Sequence, residues 1–265
     1  MEENNVVSLP DEREEDTIVE TFEMLAGYVD ENGVTHNTFT LRDMMGKDEE
    51  AISRPDVKGN YSRVISLLIS RLCTSIGTLT PKSVGGINNW EKIVKSLYVG
   101  DQDYILREIR KMSYGNEIEL NHVCPNKECG IKLQTFIDID ELPVIEFKGD
   151  RIIKFDLPKG YKDKKGVIHK EGTIRLPNGL DREITVPLAK NNPAKAHTSL
   201  LTRLCKFNDG YPVDDDLMSS LTVRDREYLS NLLKDNIFGI ETEVEVSCPD
   251  CGTNFKVSLN VVNFT

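Results

Sequence analysis

Six cysteines divide by spacing into two classes. Cys124 and Cys129 (in CPNKECG) and Cys248 and Cys251 (in CPDCG) form two short knuckles, whereas Cys73 and Cys205 stand alone. Paired thiolates are soft ligands. Zinc takes four of them in a tetrahedron, and a tight turn lets two sulfurs and nearby backbone N–H groups converge on one ion. Gly130 and Gly252 follow the second cysteine of each knuckle, where a left-handed backbone is often needed. One knuckle offers two ligands, too few for a stable structural site, and two offer four. The spacing predicts one structural Zn2+ held by Cys124, Cys129, Cys248 and Cys251, a zinc-ribbon-like site whose halves are separated by 118 residues. Four thiolates leave no open coordination for substrate or activated water. Other chemistries share the pattern. A thioredoxin-like dithiol needs its cysteines to open a helix in a βαβ unit, and here strand patterns lie on both sides. A rubredoxin-type iron site has the same turn and sulfur geometry, and two metal-free turns are the third alternative. Cys73 and Cys205 lie on apolar helical runs and read as core.

The elements that must bring the knuckles together come from a repeat. Shifting the chain by 124 positions lays VGDQDYILREIRKMSYGNEIELNHVCP, from Val99, on VRDREYLSNLLKDNIFGIETEVEVSCP, from Val223, with eight of 27 positions identical. Random usage would give roughly two. Upstream, LLISRLC ending at Cys73 resembles SLLTRLC ending at Cys205, and FTLRD at Phe39 faintly matches ITVPL at Ile184. The expected fold class is α+β, a tandem duplication of a strand–helix–helix–β-hairpin unit. Leu229, Leu232, Leu233 and Ile237 recur at helical spacing, as do Ile105, Ile109 and Met112. Thr222 with Asp225 resembles a capping box, and Gly115 and Gly239 read as helix stops. Beyond the glycines the period becomes two: Thr242, Val244 and Val246, then Phe255, Val257, Leu259 and Val261, and in the first copy Ile131 to Ile139. Between the copies, IIKFDL, GTIRL and REITV read as a β-meander across Ile152–Pro187. The expected divisions are an acidic arm (1–16), a first repeat (17–142) and a second repeat with the meander (143–265).

At 265 residues and 38% hydrophobic the chain can bury a full core. A net charge of −11 repels phosphate, so nucleic-acid binding would require a local basic patch. Lys159, Lys162, Lys164, Lys165 and Lys170 crowd one expected hairpin tip and read as a solvated turn, with a contact for an acidic or nucleic-acid partner as the alternative. The start of the chain reads as no secretion signal, and no apolar run is long enough to span a bilayer. His36, His122, His169 and His197 have no ligand spacing among themselves. His122, two residues before Cys124, reads as a surface strand histidine, with an outer-shell role or a place as an alternative ligand as the other readings. Asp214-Asp215-Asp216 reads as an acidic helix entry, not a calcium loop. No GxSxG, P-loop, HExxH or GxGxxG pattern occurs, so no catalytic or cofactor-binding residue is expected.

GDQDYILREIRKMSYG, followed by a strand and CPNKECG, resembles the baseplate hub assembly proteins of T-even-like contractile-tailed bacteriophages. These pair an aspartate-led helix ending in tyrosine–glycine with a cysteine knuckle, and TLRDMMGKDEEAI resembles their strand-then-acidic-helix entry. The resemblance covers about Thr38–Leu142 closely and the chain from Ile184 onward more loosely. Here the first knuckle carries two extra residues and the unit is doubled. The resemblance implies a non-enzymatic phage tail protein, either an assembly chaperone or a baseplate subunit. Its partners would be other hub or tail proteins, in the host cytoplasm during assembly or in the virion. The alternatives from other classes are a zinc-ribbon adaptor in transcription or nucleic-acid handling, and a rubredoxin-like or dithiol redox protein.

Overall fold

The computed structural model describes residues 18–259; the acidic segment 1–16 and Val261 lie outside them. The chain begins with a hairpin of β1 (Val19–Val29) and β2 (Thr35–Arg42), then α1 (Gly46–Ile52), α2 (Pro55–Lys58) and α3 (Tyr61–Leu72). Next come β3 (Cys73–Ile76), α4 (Ile87–Ser96), α5 (Val99–Tyr114), and a hairpin of β4 (Glu117–Val123) and β5 (Lys132–Asp138). After the short β6 (Val144–Ile145) a similar order follows, with two helices in place of three after the opening hairpin. It runs β7 (Ile152–Lys162), β8 (Ile168–Arg175), α6 (Gly179–Ala189), α7 (Pro193–Leu204), β9 (Cys205–Phe207), α8 (Asp215–Ser220) and α9 (Val223–Asp235). The short β10 (Gly239–Ile240) and the hairpin of β11 (Glu243–Ser247) and β12 (Asn254–Ser258) complete it. The fold is mixed α+β, with two three-stranded antiparallel sheets, β1-β2-β3 and β7-β8-β9, and three two-stranded ones.

Both three-stranded sheets are fixed by the same polar devices. Asp30 closes the first hairpin by accepting the N–H groups of Asn32 and Val34, and Asp163 closes the second with Lys165 and Val167. Each first strand carries an irregularity ending in a left-handed glycine, Gly27 (φ 74°) or Gly160 (φ 78°). An aspartate in the first turn of the long helix binds it. Asp101 accepts from Leu25 and Ala26 N–H, and Asp225 from Lys159 and Gly160 N–H.

At the end of the second strand an arginine forks onto a fully buried aspartate, which is also held by an arginine from the next long helix. Arg42 and Arg71 grip Asp48, with contacts of 2.7–3.0 Å. Arg175 and Arg203 grip Asp181 at 2.6–3.0 Å. Burial alone would push these carboxyls up. The guanidinium forks and the amides of Met45 and Asn178 outweigh it and hold both below the usual carboxylate range.

Around the first sheet, Phe39, Leu41, Ile65, Leu68, Ile69, Leu72 and Trp90 form a core with no solvent exposure. A second core gathers Phe155, Leu157, Ile174, Leu201, Met218 and Leu229. The last hairpin belongs to the first core: Leu259 is buried in it, and Val244 packs against it.

Several expectations are corrected. REITV is not a third meander strand but part of α6; the third strand of its sheet is β9. Asn178 accepts the Asp181 N–H while Asp181 accepts the Asn178 N–H, a capping box strong enough to override the β-branched run that follows. Arg175, not Ile184–Leu188, therefore stands where Arg42 stands. Gly239 does not stop α9, which ends at Asp235, and Ile237 lies beyond it, 58% exposed. Gly115 does cap α5, with φ 78°.

Cys73 and Cys205 are buried as expected, but they open β3 and β9 instead of lying on a helical face. Burial pushes both thiols up to about 12, so they are protonated and inert at neutral pH. Replacing either by alanine should cost on the order of 1–2 kcal/mol in denaturant unfolding and leave bound metal unchanged. A fall in metal content in Cys73→Ala would show that the ligand set extends beyond the two knuckles.

Candidate metal centre

Two hairpins bring the four knuckle cysteines to one point. In the first, β4 and β5 pair from Glu117↔Asp138 to Val123↔Lys132, and the Cys124 N–H continues the ladder to the Ile131 carbonyl. In the second, β11 and β12 pair from Glu243↔Ser258 to Ser247↔Asn254, and the Cys248 N–H reaches the Thr253 carbonyl. The longer first knuckle is pinned by Asn126, whose carbonyl accepts from Cys129 and Gly130 while its side chain accepts from Glu128 N–H. Gly130 (φ 58°) and Gly252 (φ 70°) turn the chain out of each knuckle, a backbone that other residues adopt at a cost.

All four Sγ atoms lie within 4.8 Å of one another. Cys124 Sγ is 3.6 Å from Cys251 Sγ, and Cys129 Sγ is 3.8 Å from Cys248 Sγ. These separations are far too long for disulfides, and all four cysteines are free. They match the edge of a tetrahedron with Zn–S bonds of about 2.3 Å, which is about 3.8 Å. The donor set therefore fits a four-coordinate thiophilic ion. Cys124 and Cys248 are buried, Cys129 is half-buried and Cys251 is exposed.

The thiols differ in readiness to ionise. The Thr253 hydroxyl (3.1 Å) and amide, with the neighbouring thiols, hold Cys251 down to about 6. At Cys129 the Ile131 amide pulls downward, but desolvation and the other three thiols outweigh it and push that group up to about 12. Cys251 is therefore readier to ionise than Cys129. An ion would displace the remaining protons, so affinity must rise with pH.

Each expected ligand is thus found with the other three. His122 is not among them. Its ring packs edge-on against Phe255 of the other hairpin (centroids 5.3 Å), and neither ring nitrogen has a hydrogen-bond partner. It joins the two hairpins beside the sulfurs, a contact that no spacing in the sequence announces. The lysines expected at a hairpin tip do sit on the β7–β8 hairpin, and Asp214 caps α8 by accepting the Leu217 N–H. No described helix is long and apolar enough to cross a membrane.

The helices show the contact between the halves to be one-sided. α6 packs on α3, α4 and α5 of the first half, whereas α1, at the corresponding place, packs on its own neighbours α2 and α3. A pseudo-two-fold relation between the halves does not extend to these helices.

No curated protein and no solved structure matches this chain. Residues 86–175 match the model of a family described as T4 bacteriophage base plate protein. That span holds α5, the first knuckle and the β7–β8 hairpin. Over these 90 residues, about a third of the chain, it is similar to that base plate family.

Proposed function

We propose that the chain is a tail baseplate hub assembly protein of a contractile-tailed phage, acting by docking to other hub or tail proteins and not by catalysis. The observation that carries this reading is the match of residues 86–175 to the base plate family. Cys124, Cys129, Cys248 and Cys251 hold one structural Zn2+, supported by four sulfurs placed at tetrahedral separations. When bound, the ion supplies a cross-link between the two hairpins. The chain arose by tandem duplication of one unit, first copy 17–142 and second copy 143–265. The recurrence of the turn aspartates, bulge glycines and arginine–aspartate–arginine clamps at matching positions supports that origin.

Mass spectrometry of purified virions, together with infection by a Cys248→Ser mutant, tests the assignment. Mutant infections should accumulate heads without working tails while DNA replication and late transcription proceed. Several copies per virion would make the protein a baseplate component, and its absence alongside the same defect would make it an assembly chaperone. Failure of nucleic-acid synthesis before the tail defect would overturn the reading in favour of a transcription adaptor.

A further inference from the structure

Inside the chain, the start of α6 is seated on the first half in a specific way. The Gly179 N–H donates to the Leu97 carbonyl, and the Val99 N–H donates to the Pro177 carbonyl, both at 3.0 Å. Arg182 donates to Gln102 Oε1 and pairs with Asp103. Glu183 pairs with Lys95 at 3.3 Å, and its carbonyl accepts from the Asn60 side chain. Glycine lets the helix approach closely, because a Cβ on Gly179 would lie 2.1 Å from Gln102 Nε2 and displace that side chain.

The two backbone groups of this joint have counterparts that are open. The clamp aspartates align α6 with α1, placing Gly46 at Gly179, Glu49 at Arg182 and Glu50 at Glu183. The N-cap asparagines (Asn60 and Asn192) and the long-helix aspartates align the seat with the second half. Leu221 then stands for Leu97, Val223 for Val99 and Arg226 for Gln102. Asn192, Leu221, Val223 and Arg226 line one open groove there. Val223 is 80% exposed. Among the described residues, nothing bonds the Val223 N–H or the Leu221 carbonyl, the counterparts of the two backbone groups that hold the α6 segment.

The complementary end is equally unexplained by the single chain. A Cβ on Gly46 would meet nothing within 4 Å, and its φ is not left-handed. Gly46 opens α1, and nothing around it in the single chain calls for glycine. At its counterpart the docked neighbour is the reason for glycine. The charges at the groove are mixed, Lys195 and Arg226 lying beside Asp215 and Asp216. Exposed Glu49 would approach Arg226, whose guanidinium lies across the groove on Thr198 Oγ1 and the Ala194 and Met218 carbonyls.

We propose that the protein associates head to tail with a second copy of itself, α1 of one copy seating between α7 and the α8–α9 junction of the next. The inference rests on the duplication reading above, but not on the metal or on the phage role. Such a contact is heterologous, so it extends or closes into a ring instead of stopping at a symmetric pair. A helix-sized joint lies at the small end of interface sizes, so self-association should be weak, ~10–100 µM.

Sedimentation velocity of the full, metal-replete chain from about 5 µM to about 500 µM tests it. Wild type should grow with concentration. Gly46→Gln and Val223→Asp each change an exposed position that the fold does not use, and each should weaken association at least tenfold with unchanged circular dichroism and metal content. Mixing the two variants should restore a single joint, giving 1:1 pairs that grow no further, because each retains one good end. A wild type that stays monomeric throughout the range would overturn the proposal. So would variants that associate as wild type does, or a mixture that forms no pairs. A failed metal assay or an absent tail defect would leave this experiment's result intact, so the two readings fail separately.

Discussion

Protein purified under reducing conditions should contain one zinc per chain, and chelation should cost more stability than any single substitution. Structural zinc in model peptides contributes roughly 10–16 kcal/mol of apparent binding free energy at neutral pH, comparable with the whole stability of an ordinary domain, about 5–15 kcal/mol. Four sulfurs drawn within 4.8 Å have little to hold them there otherwise, since thiolates repel as they ionise. Removal of the ion should free the two hairpins from each other and loosen Leu259, which the second hairpin carries into the first core. Thermal melts with and without a strong chelator, alongside elemental analysis, provide the check. Cys248→Ser and Cys124→Ser should reproduce the chelated state even with zinc present. Absence of metal from reduced protein would sink the assignment, and visible absorbance from a red protein would replace zinc by iron in the same four-sulfur site. Loss of the site in acid follows from protonation of the thiolates, so chelator sensitivity should increase as pH falls.

Asp181→Ala should destabilise the protein by about 3–5 kcal/mol at neutral pH, because it leaves Arg175 and Arg203 without their shared carboxylate. The same substitution at Asp48 strands Arg42, itself almost fully buried, and should cost at least as much. Both carboxyls are held below their ordinary range in the folded state. Their contribution is therefore fully present above the unfolded value of about 3.9 and is lost as pH falls through the lower, folded value. The difference between wild type and Asp181→Ala in urea unfolding should accordingly be constant from neutral pH down to about pH 5 and shrink below about pH 4. A neutral-pH difference under about 1 kcal/mol would mean that the arginines are simply solvated, as exposed pairs are.

The gathering of the four cysteines was legible because cysteine spacing is a local signal and the similar second segment supplied the other knuckle. The hairpins were legible too, since period-two alternation after Gly115 and before Cys248 survives in β4, β5, β11 and β12. Where the reading failed, a short polar signal outweighed a longer apolar one. Ile184, Thr185 and Val186 favour a strand by side-chain shape, but Asn178 and Asp181 cap a helix, and Asp181 is drawn further into place by arginines six positions before it and 22 after it. Such partners have no fixed spacing and become visible only in three dimensions. The faint match of FTLRD to ITVPL failed for the same reason, since the residue that repeats there is the clamp arginine and not the apolar pattern. The one-sided seating of α6 was invisible because equal sequences can be joined by a rotation that does not return on itself.

The cross-connection between the hairpins has a consequence in time. Cys129 and Cys248 are 119 positions apart, and a clasp around a loop of that size removes about 5 kcal/mol of entropy from the unfolded chain. During synthesis at about 5–20 residues per second, the first knuckle waits on the order of 10 s for its partner. Throughout that interval it offers two thiolates, too few to keep an ion, while the first core lacks Leu259. A chain that stops before Cys251 and Leu259 thus has an incomplete cysteine cluster and an open first core.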